Sequence, residues 1–245
     1  MANKEGFTQI PQTGLFTQAN RYQLPSWLAA HADLYRSFMS EGHLVSSALL
    51  RLLEEQLQLP DGGLVDRHRF MDESGDFLRV FRYPAPPDGQ PLDVPPTPPH
   101  TDTVSVAMLF NWQGGLQITP VNCTAGQAQL LDSETEPENT WLFVEPRPGH
   151  AIINLGDPMV IFSNGLLKSG KHRVVTPPGD QSQFHRYSVL LTTRPSSATL
   201  MQPLPSPIIP SHKAADGEKE LTAKEWAFRK VRDILNRMER GNRLQ

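Results

Sequence analysis

Two histidines and one aspartate carry the strongest chemical signal in this sequence: His100 and Asp102, two residues apart, and His172 well downstream. Two imidazoles and one carboxylate are the ligands of a facial site that leaves positions open on iron(II). His100-Thr101-Asp102 lies where a proline-rich joint meets a β-like segment. Residues two apart in a strand point to the same face, so both side chains can address one ion. His172 opens its own β-like run and has to be folded back beside them. Arg186 and Ser188 share a strand face by the same rule. A guanidinium fork beside a hydroxyl suits a carboxylate, through bidentate charged bonds plus one neutral bond. Taken singly, these are also what a turn histidine, a capping aspartate and a surface arginine look like. His150, in a Pro-Gly-His turn, and His185, on the opposite strand face from Arg186, are read as non-ligands. Asn154 and Asp157 are read as turn formers.

The elements that must position these groups are marked off by proline. Eight prolines fall between Pro84 and Pro99 and four more between Pro203 and Pro210. They divide the chain into an N-terminal helical segment and entry strand (1–83), a β domain (84–200) and a C-terminal helical tail (201–245). In the front, Leu34, Phe38, Val45, Ala48 and Leu52 recur at helical spacing, with Pro60-Asp61-Gly62-Gly63 as a stop. In the middle, Phe77–Tyr83, Thr103–Ile118, Trp141–Val144, Ala151–Asn154, His172–Val175 and Tyr187–Thr192 are short β-rich runs between turn residues. Gly114-Gly115 reads as a turn within the second, and Asn122–Thr140 as a solvent loop. Strands at this spacing suggest a sandwich or barrel. In the tail, Thr222 and Glu225 form a capping box before an apolar stripe of Ala227, Val231, Ile234 and Met238. Its seven Lys/Arg against three Asp/Glu between Lys224 and Arg243 read as a solvated outer face.

Composition excludes other classes. With 23 Lys+Arg against 26 Asp+Glu the net charge is −3, so no global basic field for nucleic acid or anionic lipid exists. The single cysteine, Cys123, excludes an internal disulfide framework and fits a reducing compartment. No apolar h-region or membrane-length run occurs, which leads to the expectation of a cytoplasmic protein with a small-molecule partner, no nucleic acid and no membrane. There is no phosphate-cradling loop, nucleophile elbow or zinc-type cysteine pairing.

The ordered series His100-Thr-Asp102, Gly114-Gly-Leu-Gln117, Asn154-Leu-Gly-Asp157, Ser163-Asn-Gly165, His172-Arg-Val174 and Arg186-Tyr-Ser188 resembles the iron(II)- and 2-oxoglutarate-dependent dioxygenases. Within them it is most similar to the isopenicillin N synthase-like branch, over roughly residues 22–195. The resemblance implies a mainly β fold with flanking helices, built on a double-stranded β-helix (jelly-roll) core. It matches His100, Asp102 and His172 to the metal triad. Arg186 and Ser188 match the pair that holds the distal carboxylate of 2-oxoglutarate, and Tyr83 a tyrosine lining that pocket. The implied cofactors are Fe(2+), 2-oxoglutarate and O2, and the implied reaction is hydroxylation or desaturation of a small organic metabolite. The flavour of 148–157 and 222–226 is similar to members in fungal natural-product pathways.

Three departures from the family pattern stand out. Phe81 occupies a position where plant-type relatives often carry asparagine. Asn122–Thr140 and Thr176–Phe184 lengthen the usual gaps, at little entropic cost. The chain also starts just before the helical segment, which implies an N-terminally shortened member with an incomplete barrel edge. Gly6, Pro11 and Gly14 argue against residues 1–22 supplying a replacement strand. Two alternatives stay open on the sequence: a catalytically weak or inactive binding partner, and an iron oxidase that does not use 2-oxoglutarate.

Overall fold

The computed structural model describes residues 6–12, 26–87, 95–120, 141–211 and 220–242. The expected loop at Asn122–Thr140, Cys123 included, falls outside them, as do the side chains of Ile234 and Met238. Among the described residues the strands are β1 (Gly6–Pro11), β2 (Phe77–Tyr83), β3 (Thr97–His100), β4 (Val106–Asn111), β5 (Leu116–Ile118), β6 (Leu142–Phe143), β7 (Ile152–Leu155), β8 (His172–Val174) and β9 (Arg186–Thr193). They make two antiparallel sheets, ordered β1-β2-β9-β4-β7 and β3-β8-β5-β6. This is the mainly β, jelly-roll arrangement expected.

The first difference from the sequence reading is β1. It pairs antiparallel with β2, from Gly6 opposite Arg82 to Pro11 opposite Phe77, and so extends the sheet at its edge. Gly6 and Pro11 sit at the two ends of the strand, where neither has to support the interior of a ladder. Both β1 and β2 therefore belong to the five-stranded sheet, which begins well before residue 84.

The second difference concerns the long front helix. Helices α1 (Ser26–Ala29) and α2 (Ala32–Gln56) precede β2, and α2 buries Met39, Gly42, Ser46, Leu50 and Glu54. Leu34, Val45 and Leu52, which the periodicity assigns to the core, are 65%, 49% and 57% exposed. The buried face uses small residues because the helix lies close on the sheet. A Cβ at Gly42 would lie 2.0 Å from Leu191 Cδ2. Ile10, Leu78, Met108 and Leu191 form the sheet side of this core, with Leu28 and Met39 opposite. A hydropathy pattern misses a contact face built from glycine and serine. The buried Glu54 carboxylate is satisfied by the backbone N–H groups of Leu64 (2.5 Å) and Val65 (2.8 Å), which tie the end of α2 to the following turn.

A second core joins Leu50, Leu57 and Leu64 to Val106 and to Met159 and Phe162 of α3 (Asp157–Phe162). Beside it His68 is 2% exposed. Its Nδ1–H donates to Leu64 O and its Nε2 accepts from Ser105 Oγ, both at 2.7 Å. Burial pushes its pKa down from 6.5 to about 4. Because the native state holds this imidazole neutral, its stabilising contribution is complete above the unfolded value. It is lost as pH falls from 6.5 towards about 4, a contribution on the order of 3 kcal/mol. The denaturant midpoint of the wild type is expected to drop over that window, and that of His68→Gln to fall less steeply. Parallel profiles would show that another group governs acid sensitivity.

Candidate functional site

The three metal-ligand candidates converge, although not by the route that strand alternation suggests. β3 and β8 pair antiparallel with His100 directly opposite His172, and the two rings stand 4.3 Å apart, inclined at 52°. Asp102 lies beyond the end of β3, in a turn. That turn is held from β7 and α3. Asp157 N–H donates to Asp102 O at 2.9 Å, and Asn154 Nδ2 donates to Asp102 Oδ2 at 2.9 Å. Gly156 is needed between them, because a Cβ there would meet Val104 O at 2.0 Å and Asp102 O at 2.7 Å.

The imidazoles are oriented by their outer nitrogens. His100 Nδ1–H donates to Pro98 O (2.9 Å) and His172 Nδ1–H to Gly170 O (3.0 Å). A carbonyl only accepts, so Nδ1 carries a proton, and in the neutral ring Nε2 is then the nitrogen that offers a lone pair to a metal. Those Nε2 atoms lie 3.7 and 3.9 Å from the two oxygens of Asp102. All three ligand atoms fall within 4.8 Å of one another. Burial, then the neighbouring His172, pushes the His100 pKa below its ordinary value against the opposing pull of Asp102. Two imidazoles with their Nε2 atoms turned to a carboxylate, and an orienting partner on each ligand, fit a divalent metal of the iron type.

The second group lies on the five-stranded sheet. Tyr83 is opposite Arg186 and Phe81 opposite Ser188 across β2 and β9, so all four share one face. Arg186 is 2% exposed. Its Nε donates to Gly114 O at 2.8 Å, its Nη1 reaches Ser188 Oγ at 3.4 Å, and its guanidinium carbon lies 5.1 Å from the Tyr83 ring centre. Nη2 is buried with no hydrogen-bond partner. An orphaned buried donor costs about 1–3 kcal/mol, and more when charged, so a carboxylate presented to it would recover that loss. Burial lowers the Arg186 pKa, with Tyr83 opposing. Gly114 and Gly115 form more than a turn. Gly115 adopts φ +96°, and a Cβ there would lie 2.6 Å from Val175 O and 3.5 Å from Arg186 Nε. Only glycine lets this loop approach the arginine.

Among the described residues, no other histidine joins the cluster. His150 is exposed and bonds Pro148 O, while His185 bonds Arg82 and the Ala85 N–H. Three contributors were not read as such from sequence. Asn154 orients Asp102, Asp157 supports its backbone, and Thr97 Oγ1 lies 3.2 Å from Tyr83 OH. A polar residue on the inward face of an otherwise apolar strand (Ile152-Ile-Asn154-Leu) is the signal that could have found the first. Thr97, on the same short strand as His100, ties the arginine pocket to the metal-ligand strand.

A family model for the 2OG-Fe(II) oxygenase superfamily matches residues 75–195. A 2-oxoglutarate-dependent dioxygenase of Aspergillus fumigatus is 41% identical over 217 residues, covering 87% of this chain and 56% of that protein. The 2-oxoglutarate-dependent dioxygenase iboH of Amanita muscaria is 29% identical over 204 residues, covering 82% of this chain and 90% of that protein. This chain thus spans little more than half the length of the Aspergillus relative. The solved structure of a full-length Neurospora crassa protein in complex with alpha-KG and thymine superposes with a TM-score of 0.69 at 19% identity, covering 95% of this chain and 66% of that one. At such identity the superposition carries the fold. With the metal-ligand trio and the buried arginine all inside the matched stretch, the chain belongs to the 2OG-Fe(II) oxygenase superfamily.

Proposed function

We propose that this chain binds iron(II) through His100, Asp102 and His172 and 2-oxoglutarate through Arg186, Ser188 and Tyr83. On this reading it hydroxylates or desaturates a small organic metabolite. The observation that carries the proposal is the pairing of two imidazole nitrogens and a carboxylate, within 4.8 Å, with a buried guanidinium whose Nη2 lacks a partner.

Iron(II) with the keto acid supplies the activation of O2 and the one-electron oxidation of an unactivated C–H bond, which ordinary side chains cannot perform. The protein's own part is geometric and electrostatic. His100 and His172 keep their Nε2 atoms inward because Pro98 O and Gly170 O hold the opposite ring nitrogens. Asp102 supplies the one negative charge, its carboxylate aimed by Asn154. Arg186 offers a planar donor edge to the distal carboxylate, while its Nε bond to Gly114 O stops the fork from rotating. Ser188 and Tyr83 complete the polar wall, and the recess beside Tyr83 and Arg186 is lined by Pro86, Val174 and Phe184. Phe77, Arg79 and Phe81 share the Tyr83 face of β2, and the Arg79 guanidinium lies 4.3 Å from the Phe77 ring centre, so that face is both aromatic and cationic. The fungal relatives named as 2-oxoglutarate-dependent dioxygenases support the cosubstrate assignment, and we extend it to a role in natural-product metabolism. On this reading the enzyme is cytoplasmic. No described helix is long and apolar enough to cross a membrane.

The test is aerobic incubation with Fe(II), 2-oxoglutarate and a panel of apolar metabolites, reading succinate. Iron-dependent succinate release that rises with a substrate is the expected result. Metal binding with no consumption of 2-oxoglutarate under any condition would overturn the cosubstrate assignment and favour an oxidase that uses iron alone.

A further inference from the structure

The C-terminal helix α4 (Ala223–Asn242) carries an excess of Lys and Arg, a pattern that reads from sequence as a solvated face. One of these cations turns inward. Lys230 forms an ion pair with Asp157 Oδ2, the two side chains being only 23% and 5% exposed. Its Nζ also lies 3.4 Å from Thr101 Oγ1. Thr101 Oγ1 donates to the same Asp157 oxygen at 3.2 Å, so the hydroxyl is free to accept from the lysine. Thr101 stands between His100 and Asp102, and Asp157 N–H holds Asp102 O. Lysine, threonine and aspartate thus close a small polar network around the turn that bears the carboxylate ligand candidate.

The helix is fixed firmly enough to deliver the lysine. The capping box forms as read, with Thr222 N–H donating to Glu225 Oε2 at 3.0 Å and Glu225 N–H to Thr222 Oγ1 at 3.3 Å. Ala223 N–H donates to Thr199 O at 2.7 Å, and Lys224 pairs with Glu73 at 2.8 Å. Two turns on, Lys230 crosses to Asp157. Without its cation, Asp157 would be a buried carboxylate, 3% exposed, with Oδ1 already unpartnered. Removing one member of a buried pair leaves an uncompensated charge that the surroundings must move to solvate.

We propose that Lys230 is a positioning residue of the metal centre, acting through Asp157 and Thr101 to hold the Asp102 turn in its ligating conformation. This rests on the metal assignment made above. Residues that orient metal ligands typically change affinity by about 10–100-fold when replaced. Anaerobic titration with Co(II), read by its visible d–d bands, is expected to show Lys230→Met weakened by about tenfold with an altered band shape. Lys230→Arg is expected to bind near the wild-type level. In an Asp157→Asn background, Lys230→Met is expected to add little. Should Lys230→Met not fold, Lys230→Gln removes the charge while keeping a donor for Thr101, and the same weakening is expected. Unchanged affinity and spectrum in the folded lysine variant, even with a lowered melting temperature, would reduce Lys230 to a helix-packing contact and overturn the proposal. A wild-type chain that binds no Co(II), or binds it equally after His172→Ala, would instead overturn the metal assignment and this proposal with it.

Discussion

Alanine in place of His172 is expected to lower iron(II) affinity by more than about a hundredfold, since replacing even a residue that only orients a ligand costs about 10–100-fold. His172 enters opposite His100 across the β3–β8 pair, and among the described residues no other histidine joins the cluster to take its place. Alanine at His100 is expected to act similarly. Alanine at Asp102 should be at least as severe, because it removes the only negative charge of the trio and strands the Asn154 amide. Each variant is expected to stay folded, because the cluster lies at the rim of β3 and β8 and outside both apolar cores. Anaerobic iron titration of the three variants checks this. Wild-type stoichiometry and affinity in all three would remove the site assignment.

Replacing Arg186 by methionine is expected to weaken 2-oxoglutarate binding by roughly 2–5 kcal/mol, or about 30-fold to several thousandfold in affinity. The magnitude follows from burial: the guanidinium is 2% exposed, so a carboxylate facing methionine would lie dry and unpaired. Arg186→Lys is expected to fail substantially as well. An ammonium can bond Gly114 O or the ligand, yet it cannot present a planar fork to both. Ser188→Ala should cost less, about 1.5–3 kcal/mol for one hydrogen bond to a charged acceptor. Cosubstrate affinity measured in the presence of metal distinguishes these cases. Equal affinities for wild type and the methionine variant would show that the keto acid binds elsewhere.

Much of the β architecture was legible because strand signals are local. Phe77–Tyr83 is a strand over the residues expected, and the runs at 142–143, 152–155, 172–174 and 186–193 are strands within about two residues of expectation. The capping box at Thr222 and Glu225 was legible for the same reason, being a contact between near neighbours. Faces were harder. In α2 the hydropathy pattern pointed to Leu34, Val45 and Leu52, whereas the sheet receives Met39, Gly42, Ser46 and Leu50. What decides the buried side is how closely two backbones approach, and Leu191 beneath Gly42 is a long-range neighbour. β1 was misjudged likewise. Six residues ending in proline have little strand signal of their own, and the open edge of β2 supplies the partner.

The candidate site divides along the same line. The sequence by itself determined the chemistry available: two imidazoles, one carboxylate, a guanidinium and a hydroxyl, with period-two spacing that aligns Arg186 and Ser188. It also placed two glycines beside them in the chain order of the family. Only the tertiary structure decided how Asp102 is delivered, from a turn held by Asn154 and Asp157 instead of from the strand that carries His100. Only there does Gly115 become the residue that admits Arg186, and only there does a lysine on the last helix turn from solvent to Asp157. The physical reason is range: residue type and alternation are properties of a few consecutive positions. The partner that fixes a tautomer, aims a carboxylate or neutralises a buried charge comes from a distant part of the chain, and folding alone selects it.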